Sequence, residues 1–123
     1  MPSDNTDLET AYSVSDYEDV STNNGVRVAQ TGFMQYMLHQ FKDHVGEVSS
    51  CTVEWEGQST LAPSASIVKL QIFNHTSGEW DDVDTDSASD ADTDFTLTNS
   101  VDVSANYKDA SNVITCRVYQ EAL

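Results

Sequence analysis

The chain has 123 residues, with 5 Lys+Arg against 21 Asp+Glu and a formal net charge of −16. That length suits one domain. The charge repels phosphate backbones and anionic lipid headgroups, which excludes nucleic acid and acidic membrane surfaces as partners. No apolar run approaches the roughly 20 residues of a membrane span.

Residues 1–24, MPSDNTDLETAYSVSDYEDVSTNN, read as an extended N-terminal arm. The segment is polar and acidic, and neither a helical nor a strand period holds in it for long. Leu8, Tyr12, Val14, Tyr17 and Val20 are its only groups able to bury apolar area, so they are the expected assembly contacts of the arm. Met1-Pro2-Ser3-Asp4 has neither a basic nor an apolar stretch, so no secretory signal is expected. The turn signal Asn23-Asn24-Gly25 separates the arm from a domain over 25–123.

From Gly25 onward the pattern is β. Val26–Gln30 alternates. Phe33–Val45 fits either a helix face or a strand, and the β character of its surroundings favours the strand. Cys51-Thr52-Val53-Glu54-Trp55-Glu56 alternates strictly, with Cys51, Val53 and Trp55 inward. A strand over Ser66–Asn74 turns through a hairpin loop into a return strand over Glu79–Val83. Asp84–Asp92 reads as a loop. Short strands follow at Phe95–Leu97 and Val101–Val103, and Val113–Tyr119 closes the domain. Seven or eight short strands broken by turn signals predict an all-β fold, an antiparallel β-sandwich or jelly roll.

The composition also describes a solvent. Of the acids, 14 are Asp; the cations are Lys42, Lys69, Lys108, Arg27 and Arg117. Hydrophobic residues make up 38% and aromatics 9%, enough for a core. At about 1 M salt the Debye length is roughly 3 Å, so the self-repulsion of such a surface is screened. The expected setting is therefore halophilic.

The stretch from Trp55 to Gln120 resembles a β-sandwich module of phage and archaeal-virus structural proteins and of some bacterial surface proteins. The resemblance rests on five segments. They are Trp55–Ser64 (WEGQSTLAPS), the Leu70–Trp80 hairpin, the acidic run Asp81–Asp94, Phe95–Leu97 (FTL) and Arg117–Gln120 (RVYQ). The module's strand order is similar to galactose-binding-like jelly rolls, some of which bind sugars. The resemblance implies a virion-surface structural protein, made and assembled in the host cytoplasm. That protein would be a capsid decoration, turret or tail-associated component, homo-oligomeric and anchored partly by its arm. Its partners would be capsid or tail proteins of the same virion. The acidic arm and the scarcity of lysine depart from the module's non-halophilic members and point to a tailed virus of a salt-loving, archaeal host. A carbohydrate-binding module for host attachment is the alternative.

No enzyme is expected: GxSxG, P-loop, HExxH and CxxC patterns are absent. Asp82, Asp84 and Asp86 are candidate oxygen donors for Ca²⁺ or Na⁺, although the run lacks the Gly and Glu of an EF-hand loop; the plainer alternative is a salt-solvated loop and no cofactor. Asn74-His75-Thr76 is an N-glycosylation sequon, and Trp80 is a candidate glycan contact. Cys51 and Cys116 form either a disulfide or two reduced core thiols.

Overall fold

The structure is a computed structural model, and it describes residues 36–121. The arm and the strand expected at Val26–Gln30 lie outside the described residues. Six strands are found among the described residues: β1 (Tyr36–His44), β2 (Ser50–Gly57), β3 (Val68–Asn74), β4 (Glu79–Asp86), β5 (Phe95–Asp102) and β6 (Val113–Glu121). They form a sandwich of two antiparallel sheets, ordered β1-β6-β3-β4 and β2-β5. This is the order an eight-stranded jelly roll keeps when its fourth and fifth strands are removed. The ambiguous stretch at Phe33–Val45 holds a strand, β1.

The core follows from strand parity. Val68, Leu70 and Ile72 of β3 and Ile114, Cys116 and Val118 of β6 face Val53, Phe95, Leu97 and Val103 across the sandwich, all 7% exposed or less. Trp55 closes the end of this layer, with its ring centroid 5.4 Å from that of Phe95. Gly57, two residues on, makes room for that ring: a Cβ there would lie 2.5 Å from it.

Two expectations need correction. The pieces expected at Phe95–Leu97 and Val101–Val103 belong to one continuous run. β5 pairs with β2 from Gly57↔Phe95 to Ser50↔Asp102, and Val103 N–H extends the ladder to the Ser49 carbonyl at 2.9 Å. The loop expected from Asp84 is strand up to Asp86, because Asp84, Thr85 and Asp86 pair with Leu70, Lys69 and Val68. β4 ends its sheet, and an edge strand tolerates the charges that a central one rejects.

β4 also carries a bulge: Gln71 pairs with Asp82 but Leu70 with Asp84, so Val83 is the extra residue. Val83 is buried in the core. Its insertion reverses the side-chain parity beyond it. Two hydrogen bonds close the sandwich along this edge. Thr98 N–H donates to Asp84 Oδ2 at 3.0 Å, and Asn99 Nδ2 donates to the Val83 carbonyl at 3.2 Å.

Candidate functional site

The two outward faces of the sandwich differ. On the β2-β5 sheet the outward residues Thr52, Glu54, Glu56, Thr96, Thr98 and Ser100 are all exposed, an ordinary solvated surface. On the four-stranded sheet, parity turns Gln71, Phe73, Thr115 and Arg117 away from the core, yet they are 6%, 7%, 1% and 7% exposed. An arginine this buried requires partners, since a desolvated charge without them is strongly disfavoured.

The partners visible on this face form a relay. Arg117 Nε donates to Gln71 Oε1 at 2.9 Å, and Gln71 Nε2 donates to Asp82 Oδ1 at 2.7 Å. The register sets this up by placing Arg117 beside Gln71 on one flank and Asp82 on the other. The guanidinium carbon lies 4.1 Å from the Trp80 ring centroid and 5.2 Å from that of Tyr119. Phe73 packs edge-on against Trp80, with centroids 5.2 Å apart, and against His75 at 5.0 Å. Trp80 Nε1 and His75 Nε2, which flank Phe73, are buried and find no hydrogen-bond partner among the described residues. A buried polar atom left so costs about 1–3 kcal/mol. Beside Tyr119 lies a depression of about 140 Å³ lined by Ser66, Ile67, Lys69, Tyr119 and Glu121.

The hairpin between β3 and β4 is tied down at its base. Asp81 Oδ2 accepts from Asn74 Nδ2 at 3.1 Å and from the Tyr107 hydroxyl at 2.8 Å. That bond, helped by burial, raises the Tyr107 pKa above its ordinary value. Asn74 Oδ1 accepts from the N–H groups of Thr76 and Ser77. The sequon asparagine is therefore engaged through both atoms of its amide. Thr76 Oγ1 donates to Asn106 Oδ1 at 2.9 Å, joining the hairpin tip to the loop after β5.

The structure does not bring the three candidate metal ligands together, and the bulge is the reason. Period-2 alternation would align Asp82, Asp84 and Asp86 on one face. With Val83 inserted, Asp82 stays outward opposite Gln71, while Asp84 and Asp86 fall opposite the core residues Leu70 and Val68. Each carboxylate is already an acceptor. Asp84 takes the N–H groups of Thr85 and Thr98. Asp86 takes those of Ala88 and Ser89 and the Ser89 hydroxyl. Burial pushes the Asp86 carboxyl up, but the Ser89 and Ala88 donors together outweigh it and hold it below its usual value of 3.8. Asp102 is held low by the Ser104 hydroxyl and N–H, and Asp109 by the N–H groups of Val113 and Ser111. Among the described residues no three His, Cys, Asp or Glu side chains gather as a metal site.

Cys51 and Cys116 are free thiols in this structure, one in each sheet, so the bridged alternative is not what it contains. Both belong to the core layer. Burial, then the neighbouring Cys51 and Asp43, push Cys116 up to about 12. Burial and Asp43 raise Cys51, against the opposing pull of Lys108. The arm residues Leu8, Tyr12, Val14, Tyr17 and Val20 lie outside the described residues.

Sequence reasoning identified Trp80 but missed Arg117, Gln71 and Tyr119 as its companions. Arg117 carried one signal, a charge in the outward phase of the otherwise apolar run Val113–Tyr119. Only the register could say that Trp80 lies across from it. A family model described as "Uncharacterized protein, C-terminal domain" matches residues 1–123. No curated protein and no solved structure matches the chain.

Proposed function

The chain belongs to that family. We propose that it is a structural protein without catalytic activity, carried on the surface of a tailed virus of a halophilic, archaeal host. In this reading it is a capsid decoration, turret or tail-associated protein, assembled in the host cytoplasm in several copies beside capsid or tail proteins, with residues 1–24 contributing to its anchoring. The observation that carries the reading is how the carboxylates are used. Asp81, Asp82, Asp84 and Asp86 accept hydrogen bonds along a sheet edge and its turns. Glu54 and Glu56 stand exposed on the opposite sheet. The exposed acids, Asp82, Glu54 and Glu56 among them, are in keeping with a hydrated surface suited to concentrated salt. The resemblance of Trp55–Gln120 to virion-surface modules is what suggests that location.

The carbohydrate-binding alternative needs an open aromatic face. The Arg117 guanidinium stacks on Trp80 at 4.1 Å, which takes one face of that ring. Labelling intact particles with an antibody to the sandwich, in about 2 M salt, tests the first reading: labelled particle surfaces are expected. Unlabelled particles together with specific signals on a glycan array would favour the second.

A further inference from the structure

We infer that Cys51 and Cys116 form a redox-operated lock across the sandwich: free thiols in this structure, they join into a disulfide that ties the two sheets together when the chain meets a small-molecule disulfide. The geometry that carries this is the placement of both thiols in one core layer. Cys51 lies on β2 in the inward phase it shares with Val53 and Trp55, and Cys116 lies on β6 in the inward phase it shares with Ile114 and Val118. Cys51 packs against the buried cluster to which Cys116 belongs, so the two thiols enter the same core from opposite sheets. Cys51 is near enough to raise the Cys116 pKa, and Asp43 raises both. Asp43 pairs with Ile114, the inward residue just before Cys116, which puts Cys51 over this end of the four-stranded sheet.

The two thiols differ in access, and that difference sets the order of events. Cys51 is half-buried, whereas Cys116 is 0% exposed. The Cys51 thiolate attacks one sulfur of the small disulfide; a bond forms to Cys51 Sγ and one small thiolate leaves. Cys116 then gives its proton to water and attacks Cys51 Sγ; the protein disulfide forms, the mixed disulfide breaks and the second small thiolate leaves. Two protein thiols are oxidised and one small disulfide is reduced to two thiols. The second step is the slow one, because burial holds the Cys116 proton tightly. A disulfide needs Cα atoms about 4.4–6.8 Å apart, and packed sheets lie about 10 Å apart, so the strands must draw together by a few Å. β2 is the side that gives. Cys51 is the second residue of a strand whose sheet has two strands among the described residues, whereas Cys116 is held between β1 and β3. This inference concerns the isolated chain and holds or fails independently of the virion reading.

The test exposes the full reduced chain, folded in about 2 M KCl, to bis(2-hydroxyethyl) disulfide, then stops the reaction with acid and weighs the intact protein. The wild-type chain should become two hydrogens lighter while staying a monomer, and its peptide map should join Cys51 to Cys116. Its melting temperature should rise by about 5 °C or more, because the bridge closes the long loop between the two residues, and a phosphine reductant should reverse the rise. Cys116→Ala should stop at the mixed disulfide on Cys51, and Cys51→Ser should take up no adduct while folded. A wild-type chain that stops at the mixed disulfide, that links to a second copy, or that bridges only after urea has unfolded it overturns the inference. A bridged chain that melts no higher than the reduced one overturns it equally, since the bond would then tie nothing together.

Discussion

Arg117 is the residue whose loss the structure prices most clearly. Arg117→Met keeps most of the side-chain length and removes the charge. Three effects follow. The charge-assisted bond to Gln71 disappears, worth about 1.5–3 kcal/mol. The stacking on Trp80 at 4.1 Å disappears as well, worth roughly 0.5–2 kcal/mol. Gln71, 6% exposed, keeps a buried acceptor with its donor gone, at about 1–3 kcal/mol. Against these stands the relief of no longer desolvating a guanidinium, which is several kcal/mol in the opposite direction. The net expectation is a loss of about 2–4 kcal/mol. At roughly 5 °C per kcal/mol for a domain of this size, the melting temperature falls by about 10–20 °C. Asp82 contributes little to that loss, because it is exposed and water replaces the Gln71 donor. The double variant Arg117→Met, Gln71→Leu removes the orphaned acceptor too and should recover about half of the loss, since removing both members of a buried polar pair is cheaper than removing one. Thermal and urea unfolding of the single and double variants in about 2 M KCl measures both. A single variant within about 0.5 kcal/mol of wild type, or a double variant no better than the single, would refute the relay as a stabilising unit.

Four further expectations follow from the same structure. Because the net charge of −16 needs screening, the melting temperature should rise steeply from dilute buffer to about 1–3 M KCl; indifference to salt would remove the halophilic argument. At constant monovalent salt, EDTA should leave that temperature unchanged, and a clear drop would mean that carboxylates on β4 hold a divalent ion after all. With its pKa near 12 instead of the ordinary 9.0, Cys116 should carry about 10³-fold less thiolate near neutral pH and resist alkylation in the native state, so rapid labelling at Cys116 would contradict its burial. Asp86, Asp102 and Asp109 have folded pKa values below their unfolded ones, so their stabilisation is present above about pH 4 and is lost as pH falls through the lowered values. In high salt, Asp86→Asn should therefore flatten the fall in melting temperature between pH 6 and pH 3, and an unchanged slope would show that its turn bonds do not couple to folding.

The core was legible wherever apolar residues kept strict alternation. Cys51, Val53 and Trp55, and again Ile114, Cys116 and Val118, set strand and facing at once, because a two-residue period admits one inward side. β5 was harder to see. Asn99 and Ser100 interrupt its apolar phase, and only the pairing with β2 shows that Phe95 and Val101 share a strand. The Asp84–Asp86 segment was hidden for a different reason. Aspartate disfavours strands intrinsically, and the pairing of these residues with β3 at the sheet edge overrides that preference. The cluster around Arg117 lay beyond the sequence altogether. Its members come from β3, β4 and β6, and the bulge at Val83 decides which aspartates join them. Neither cross-strand register nor a one-residue insertion leaves a local mark on the chain.

The central claim, a structural role on a virion, is tested most directly by counting copies. Quantitative mass spectrometry of particles purified through high-salt gradients should find this chain at a fixed ratio to the major capsid protein, constant between preparations and unchanged by protease treatment of contaminating soluble protein. A ratio that varies between preparations, or loss of the chain from the particle fraction, would contradict the account.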